Sequence, residues 1–170
     1  MRKYFLLFVF LISAVSYGQK IKKNEIDKFT KSAIIEPSIE TLYSVNFMGK
    51  GWCNKFEFCI RRTNETYSMP ANILMNEIVK YTENDGVTLL LDNDETIILT
   101  TNYTGIGGDA FAQGYWFNTV FSLTNEDVEK LKTNKVVAIR VRYLGGSYDR
   151  ELKKNKQELI MKSLRLFDSL

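Results

Sequence analysis

The chain has 170 residues, 45% of them hydrophobic, with 23 Lys and Arg against 20 Asp and Glu and no histidine. That length and apolar content suit one domain with one core. Without imidazole there is no Ser-His-Asp or Cys-His nucleophile pair and no His-ligated zinc, copper or iron site, so an enzyme would rest on carboxylates, a Ser-Lys dyad or an oxygen-ligated metal.

The N-terminus has the pattern of a secretory signal. Arg2 and Lys3 precede an apolar run from Tyr4 to Val15, broken only by Ser13, and the small residues Ser16 and Gly18 follow two apart. Cleavage is expected after Gly18. The apolar run is shorter than the roughly 20 residues a bilayer requires. No cysteine lies near the cut to carry a lipid, and no later apolar run spans a membrane. Loss of Arg2 and Lys3 takes the 23 basic residues to 21 against 20 acids, a net charge of +1. That balance supplies no field for nucleic acid or anionic membranes. The expectation is a periplasmic or secreted single domain from residue 19 to 170, loosely ordered over 19–38.

Ile26, Phe29 and Ala33 sit at helical spacing, which allows a short helix or a disordered lead before Pro37. Strand-like runs follow at Thr41 to Phe47 and Lys55 to Arg62, with a turn at Asn64-Glu65. Cys53 and Cys59 are the only cysteines. On one regular strand they would lie about 20 Å apart at roughly 3.3 Å per residue. A disulfide between them therefore needs a turn, which Asn54-Lys55 would supply; two separate buried thiols are the alternative. Residues 71–81 suit a helix through Leu74, Ile78 and Tyr81, and also a strand. Val87 to Leu91 and Thr96 to Thr101 flank Asp92-Asn93-Asp94-Glu95 as a hairpin, and their apolar content predicts a central place in a sheet.

The aromatic run Tyr115 to Leu123 predicts another strand. Thr124 and Asp127 fit a capping box opening a helix with Val128 and Leu131 inward. Val136 to Tyr143, a turn at Gly145-Gly146-Ser147, and Tyr148 to Leu152 form a final hairpin. An amphipathic helix over Lys153 to Leu170 buries Ile160, Leu164 and Phe167. This order predicts an α+β fold: mainly antiparallel sheet, with a short helix near 125–133 and a C-terminal helix packed on it.

The hairpin, the Gly-rich loop, the strand, the helix at Leu123-Thr124-x-x-Asp127, the strand Val136-x-x-Ile139-Arg140-Val141, the Gly turn and the Lys-rich helix resemble those of small exported bacterial proteins of unknown function. The likeness covers residues 86–168. It implies export and an α+β domain, and no activity.

Gly105-Ile106-Gly107-Gly108-Asp109-Ala110 fits the dinucleotide fingerprint G-x-G-x-x-A. The fingerprint needs a strand before it and a helix after it. Here a strand follows, so a binding or surface loop is expected and a nucleotide is not. Asp92, Asp94 and Glu95 suit a hairpin turn better than calcium. Arg140, Arg142 and Arg150 would share one face of the last hairpin, gripping an anion or pairing with Asp149 and Glu151. Tyr103, Asp109, Phe111, Tyr115 and Trp116 form the candidate ligand-binding face. The expectation is a non-catalytic module for a protein or glycan, with no nucleic acid, metal or cofactor. A histidine-free cell-envelope hydrolase using carboxylates and an inhibitor or immunity-type protein are the alternatives.

Overall fold

Apolar alternation and turn chemistry shape most of the chain. A computed structural model describes residues 20–44, 53–75, 80–101, 105–106, 110–111 and 114–169. The leader expected at 1–18 lies outside them.

The first element is a hairpin of β1 (Ile21–Ile26) and β2 (Ala33–Pro37), in place of a helix or loose lead. The turn explains the difference. The Asp27 carboxylate accepts from the Phe29 and Thr30 amides and from the Thr30 hydroxyl, and Lys31 takes φ 60°. The helical apolar stripe has nothing to pack on, since Phe29 is 96% exposed.

Next come β3 (Glu40–Ser44), β4 (Cys53–Phe58), β5 (Arg61–Thr63) and the ten-residue β6 (Thr66–Met75). Asn64 turns the chain between β5 and β6 at φ 52°. Residues 71–75 are therefore strand, and 76–79 lie outside the described residues. β7 (Lys80–Tyr81), β8 (Gly86–Leu91), β9 (Thr96–Thr100), β10 (Gly105–Ile106), β11 (Ala110–Phe111) and β12 (Gly114–Leu123) follow.

Strand β6 is the spine of an eight-stranded antiparallel sheet. It pairs along one edge with β5 and then β4, and along the other with β12, from Met75 opposite Tyr115 to Tyr67 opposite Leu123. β4 begins at Cys53 with a register irregularity against β6 between Cys53 and Lys55 but no turn, and Cys59 is a free, buried thiol. Of the two readings, the Cys53–Cys59 bridge is therefore not the one formed, because β4 carries the chain away from Cys53 before Cys59 is reached.

Helix α1 (Asn125–Thr133) opens on the expected box: Thr124 accepts from the Asp127 amide, and the Asp127 carboxylate accepts from the Thr124 amide. Its carbonyl at Lys132 accepts from the Arg165 guanidinium. β13 (Val136–Tyr143) and β14 (Gly146–Glu151) form the last hairpin. The C-terminal helix α2 is shorter than expected, Leu159–Arg165, followed by a 3-10 turn at Leu166–Ser169. Residues 153–158 carry no apolar side chain, so a helix there would have nothing to bury. Ile160, Leu164 and Phe167 are buried as expected.

The second sheet has the order β14-β13-β8-β9. Thus β8 is central, but β9 lies at an edge and leaves Ile98 60% exposed, against the central place its apolar sequence suggested. One apolar cluster joins residues of both sheets and both helices. At its middle Tyr81 of β7 stacks on Phe117 of β12, with ring centroids 3.7 Å apart. The fold is α+β, largely antiparallel sheet with two short helices, one of them C-terminal. Among the described residues no helix is long and apolar enough to cross a membrane.

Candidate functional site

The register of the last hairpin separates the three arginines. Arg140 stands opposite Asp149, and Ile139 stands opposite Arg150. Side chains alternate along a strand, so Arg140 and Arg142 share the outer face while Arg150 goes with the buried Ile139 to the other. Arg140 pairs with Asp149 through both ends of its fork, at 2.6 Å and 2.6 Å. Their hydrogen bond raises the pKa of the guanidinium and lowers that of the carboxyl. Both groups are exposed, so the pair adds little stability.

Arg150 lies in different surroundings. Its guanidinium sits 5.5 Å from the ring centroid of Tyr148 and 5.9 Å from that of Tyr43. Nη2 donates to the Tyr148 hydroxyl at 2.5 Å, while Nε is buried without a hydrogen-bond partner. The Tyr43 wall is set by an irregularity between Thr41 and Tyr43 in β3, which buries both Leu42 and Tyr43. Tyr43 also stacks on Phe56, with centroids 6.1 Å apart.

Leu42, Tyr43 and Arg150 line an open pocket of about 580 Å³, completed by Thr41, Ser44, Glu151, Lys153 and Lys156. Lys153 and Lys156 stand on the turn after β14, where the Lys156 amide donates to the Lys153 carbonyl. Among the described residues, Arg150, Lys153 and Lys156 form no ion pair, so three cations meet the single acid Glu151. Such a set suits an oxyanion, through a planar fork and two mobile ammonium groups.

The expected aromatic face is described only in part. Tyr103 and Asp109 lie outside the described residues, and Phe111 is placed by its backbone in β11, opposite Gly114. Tyr115 and Trp116 are half-buried on β12, and the Lys55 ammonium lies 5.8 Å from the Trp116 ring centroid. Gly105–Ile106 pairs with β7, and Ala110–Phe111 leads to β12 rather than to a helix. Among its described residues the glycine segment therefore has no helix N-terminus of the kind a pyrophosphate would need. At the acidic turn, Asp92 accepts from the Lys135 amide and Asn93 from the Glu95 amide, so these side chains serve the backbone.

Sequence reasoning missed the pocket because Tyr43 and Arg150 are far apart in the chain. The available signal is the basic run Arg150, Lys153, Lys154, Lys156, which the sequence reading divides between the last hairpin and the C-terminal helix. Among the described residues no cluster of three Cys, Asp or Glu side chains suits a metal. The carboxyl groups with shifted pKa values, Asp27, Glu126, Asp149 and Glu158, are all shifted down. No match is found to known family models, to curated proteins or to solved structures.

Proposed function

We propose that the chain is an exported, non-catalytic binding module that takes a carboxylate- or phosphate-bearing ligand in the pocket of Tyr43, Arg150, Lys153 and Lys156. The observation that carries this reading is the Arg150 guanidinium, which has no ion-pair partner among the described residues and lines an open pocket together with Lys153 and Lys156. An oxyanion in the pocket would meet the planar Arg150 fork, and Lys153 and Lys156 add attraction at the rim. Export rests on the N-terminal pattern, and the mature protein recovered from cells should begin at Gln19.

Thermal unfolding with inorganic phosphate and with glucuronate tests the site. A ligand at a hundred times its dissociation constant stabilises the fold by about 2.7 kcal/mol. Arg150→Gln should abolish the shift, and Arg140→Gln on the opposite face should keep it. An equal response from both variants would place binding elsewhere. No shift with either anion, in protein whose fold is intact, would remove the anion reading.

A further inference from the structure

We propose that β9 is a dimerisation edge, pairing antiparallel with β9 of a second copy across a twofold axis centred on Ile98. Four observations converge on it.

The first is an open edge. β9 ends the order β14-β13-β8-β9, and among the described residues no strand pairs with its other side. The second is which backbone groups that edge presents. The Leu91 amide donates to the Glu95 carbonyl and the Thr101 amide to the Asp85 carbonyl. The register runs between these two pairs without a shift, through Leu89 opposite Ile97 and Val87 opposite Leu99. Hydrogen-bonded pairs alternate along an antiparallel ladder. Ile97 and Leu99 therefore bond to β8, while the N–H and C=O groups of Thr96, Ile98 and Thr100 point outward. Those three residues are also the exposed ones.

The third observation is self-complementarity. The strand reads Thr-Ile-Ile-Leu-Thr. With Ile98 opposite its own copy, Thr96 faces Thr100 and Ile97 faces Leu99. Each outward-pointing residue then meets another, so every such pair exchanges both of its bonds. Ile97 and Leu99, buried at 2% each, would extend one core toward the other. The exposed Ile98 side chains would cover each other on the outer face.

The fourth is charge. β9 carries none, and in this register Glu95 meets Thr101 of the copy, so no like charges oppose. The far edge of the same sheet, β14, carries Asp149, Arg150 and Glu151. Charged edge strands resist pairing, and β9 lacks that protection. Its centre-strand sequence would gain a centre-strand position in the continuous sheet β14-β13-β8-β9-β9-β8-β13-β14. A contact of this length falls below the area of permanent interfaces, so the dimer should be reversible and concentration-dependent.

Sedimentation velocity on the purified full chain, over a concentration series, tests the proposal. The wild type should pass from monomer to dimer. Ile98→Lys places two ammonium groups together on the axis and should stay monomeric at every concentration. Thr96→Lys with Thr100→Lys opposes like charges and should also be monomeric. Thr96→Lys with Thr100→Glu opposes unlike charges in this register and should restore the dimer. Circular dichroism on each variant separates lost pairing from lost folding, and the paired threonine variants decide the matter if Ile98→Lys does not fold. A wild type that stays monomeric throughout overturns the proposal. So does a dimer that survives both lysine variants, or a ladder of larger species, which would indicate head-to-tail contact.

Discussion

Gly86 takes φ 146°, and a Cβ built there would overlap the Leu99 carbonyl oxygen. Backbone conformation and contact both demand glycine. Gly86→Ala should destabilise the protein by about 1–3 kcal/mol in urea unfolding. An unchanged midpoint would mean that β8 and β9 part locally without cost. Glu158 shows the same dependence on immediate neighbours. Hydrogen bonds from Lys135 and then Lys162 lower its pKa from the ordinary 4.5 to about 2. A carboxylate with a depressed folded pKa stabilises the fold above the unfolded value, and that contribution fades as pH falls through the folded one. Stability should therefore decline between about pH 4.5 and about pH 2, with a shallower slope in Glu158→Gln. Identical slopes in the two proteins would show that the lysines do not hold Glu158 in solution. Cys59 is shifted the other way: burial, and then the negative charge of Glu36, push its thiol up to about 11. It stays neutral and inert at ordinary pH.

The elements legible in the sequence were those whose determinants lie within a few residues. The box at Thr124 and Asp127 is one; Thr124→Ala should cost about 1 kcal/mol, read as a lowered urea midpoint. The hairpin at Asp92-Asn93-Asp94-Glu95 is another, because the Asn93 side chain bonds the Glu95 amide and Asp94 accepts φ 65°. What the sequence hid was set by partners far along the chain. Ile26, Phe29 and Ala33 look like a helix face, but β2 also pairs with β5, which draws residues 33–37 into the sheet. Arg150 leaves the face of Arg140 because it stands opposite Ile139, and that register cannot be read from either strand alone. The apolar content of β9 marked a strand correctly, yet no local signal says whether a strand lies in the middle of a sheet or at its edge. The candidate site was less legible than the fold for the same reason. Tyr43 and Arg150 meet only after both sheets are built, whereas Tyr115 and Trp116 drew attention as neighbours in sequence.

At the scale of the molecule, the question is whether the two sheets behave as one unit. Phe117 belongs to the eight-stranded sheet and is 2% exposed. Its ring lies nearly parallel to that of Tyr81, at 7°, which binds β7 to β12. The Thr101 and Thr119 hydroxyls, 2.8 Å apart, link the end of β9 to β12. With one cluster shared between the sheets, neither has a separate core to retain if the other melts. Unfolding should be one cooperative transition, with far-ultraviolet dichroism and tryptophan fluorescence superimposing along a urea curve. Phe117→Ala should shift both signals together, by about 3–5 kcal/mol, because it leaves a cavity where the sheets meet. Trp116→Ala lies one residue away but is half-buried beside Lys55, so it should cost clearly less. Far-ultraviolet dichroism must carry the Trp116→Ala comparison, since that variant loses part of the fluorescence signal. If Phe117→Ala instead split the curve into two steps, the four-stranded sheet would hold stability of its own. The pocket at Arg150, whose walls come from Tyr43 on one sheet and β14 on the other, would then open before the protein unfolds.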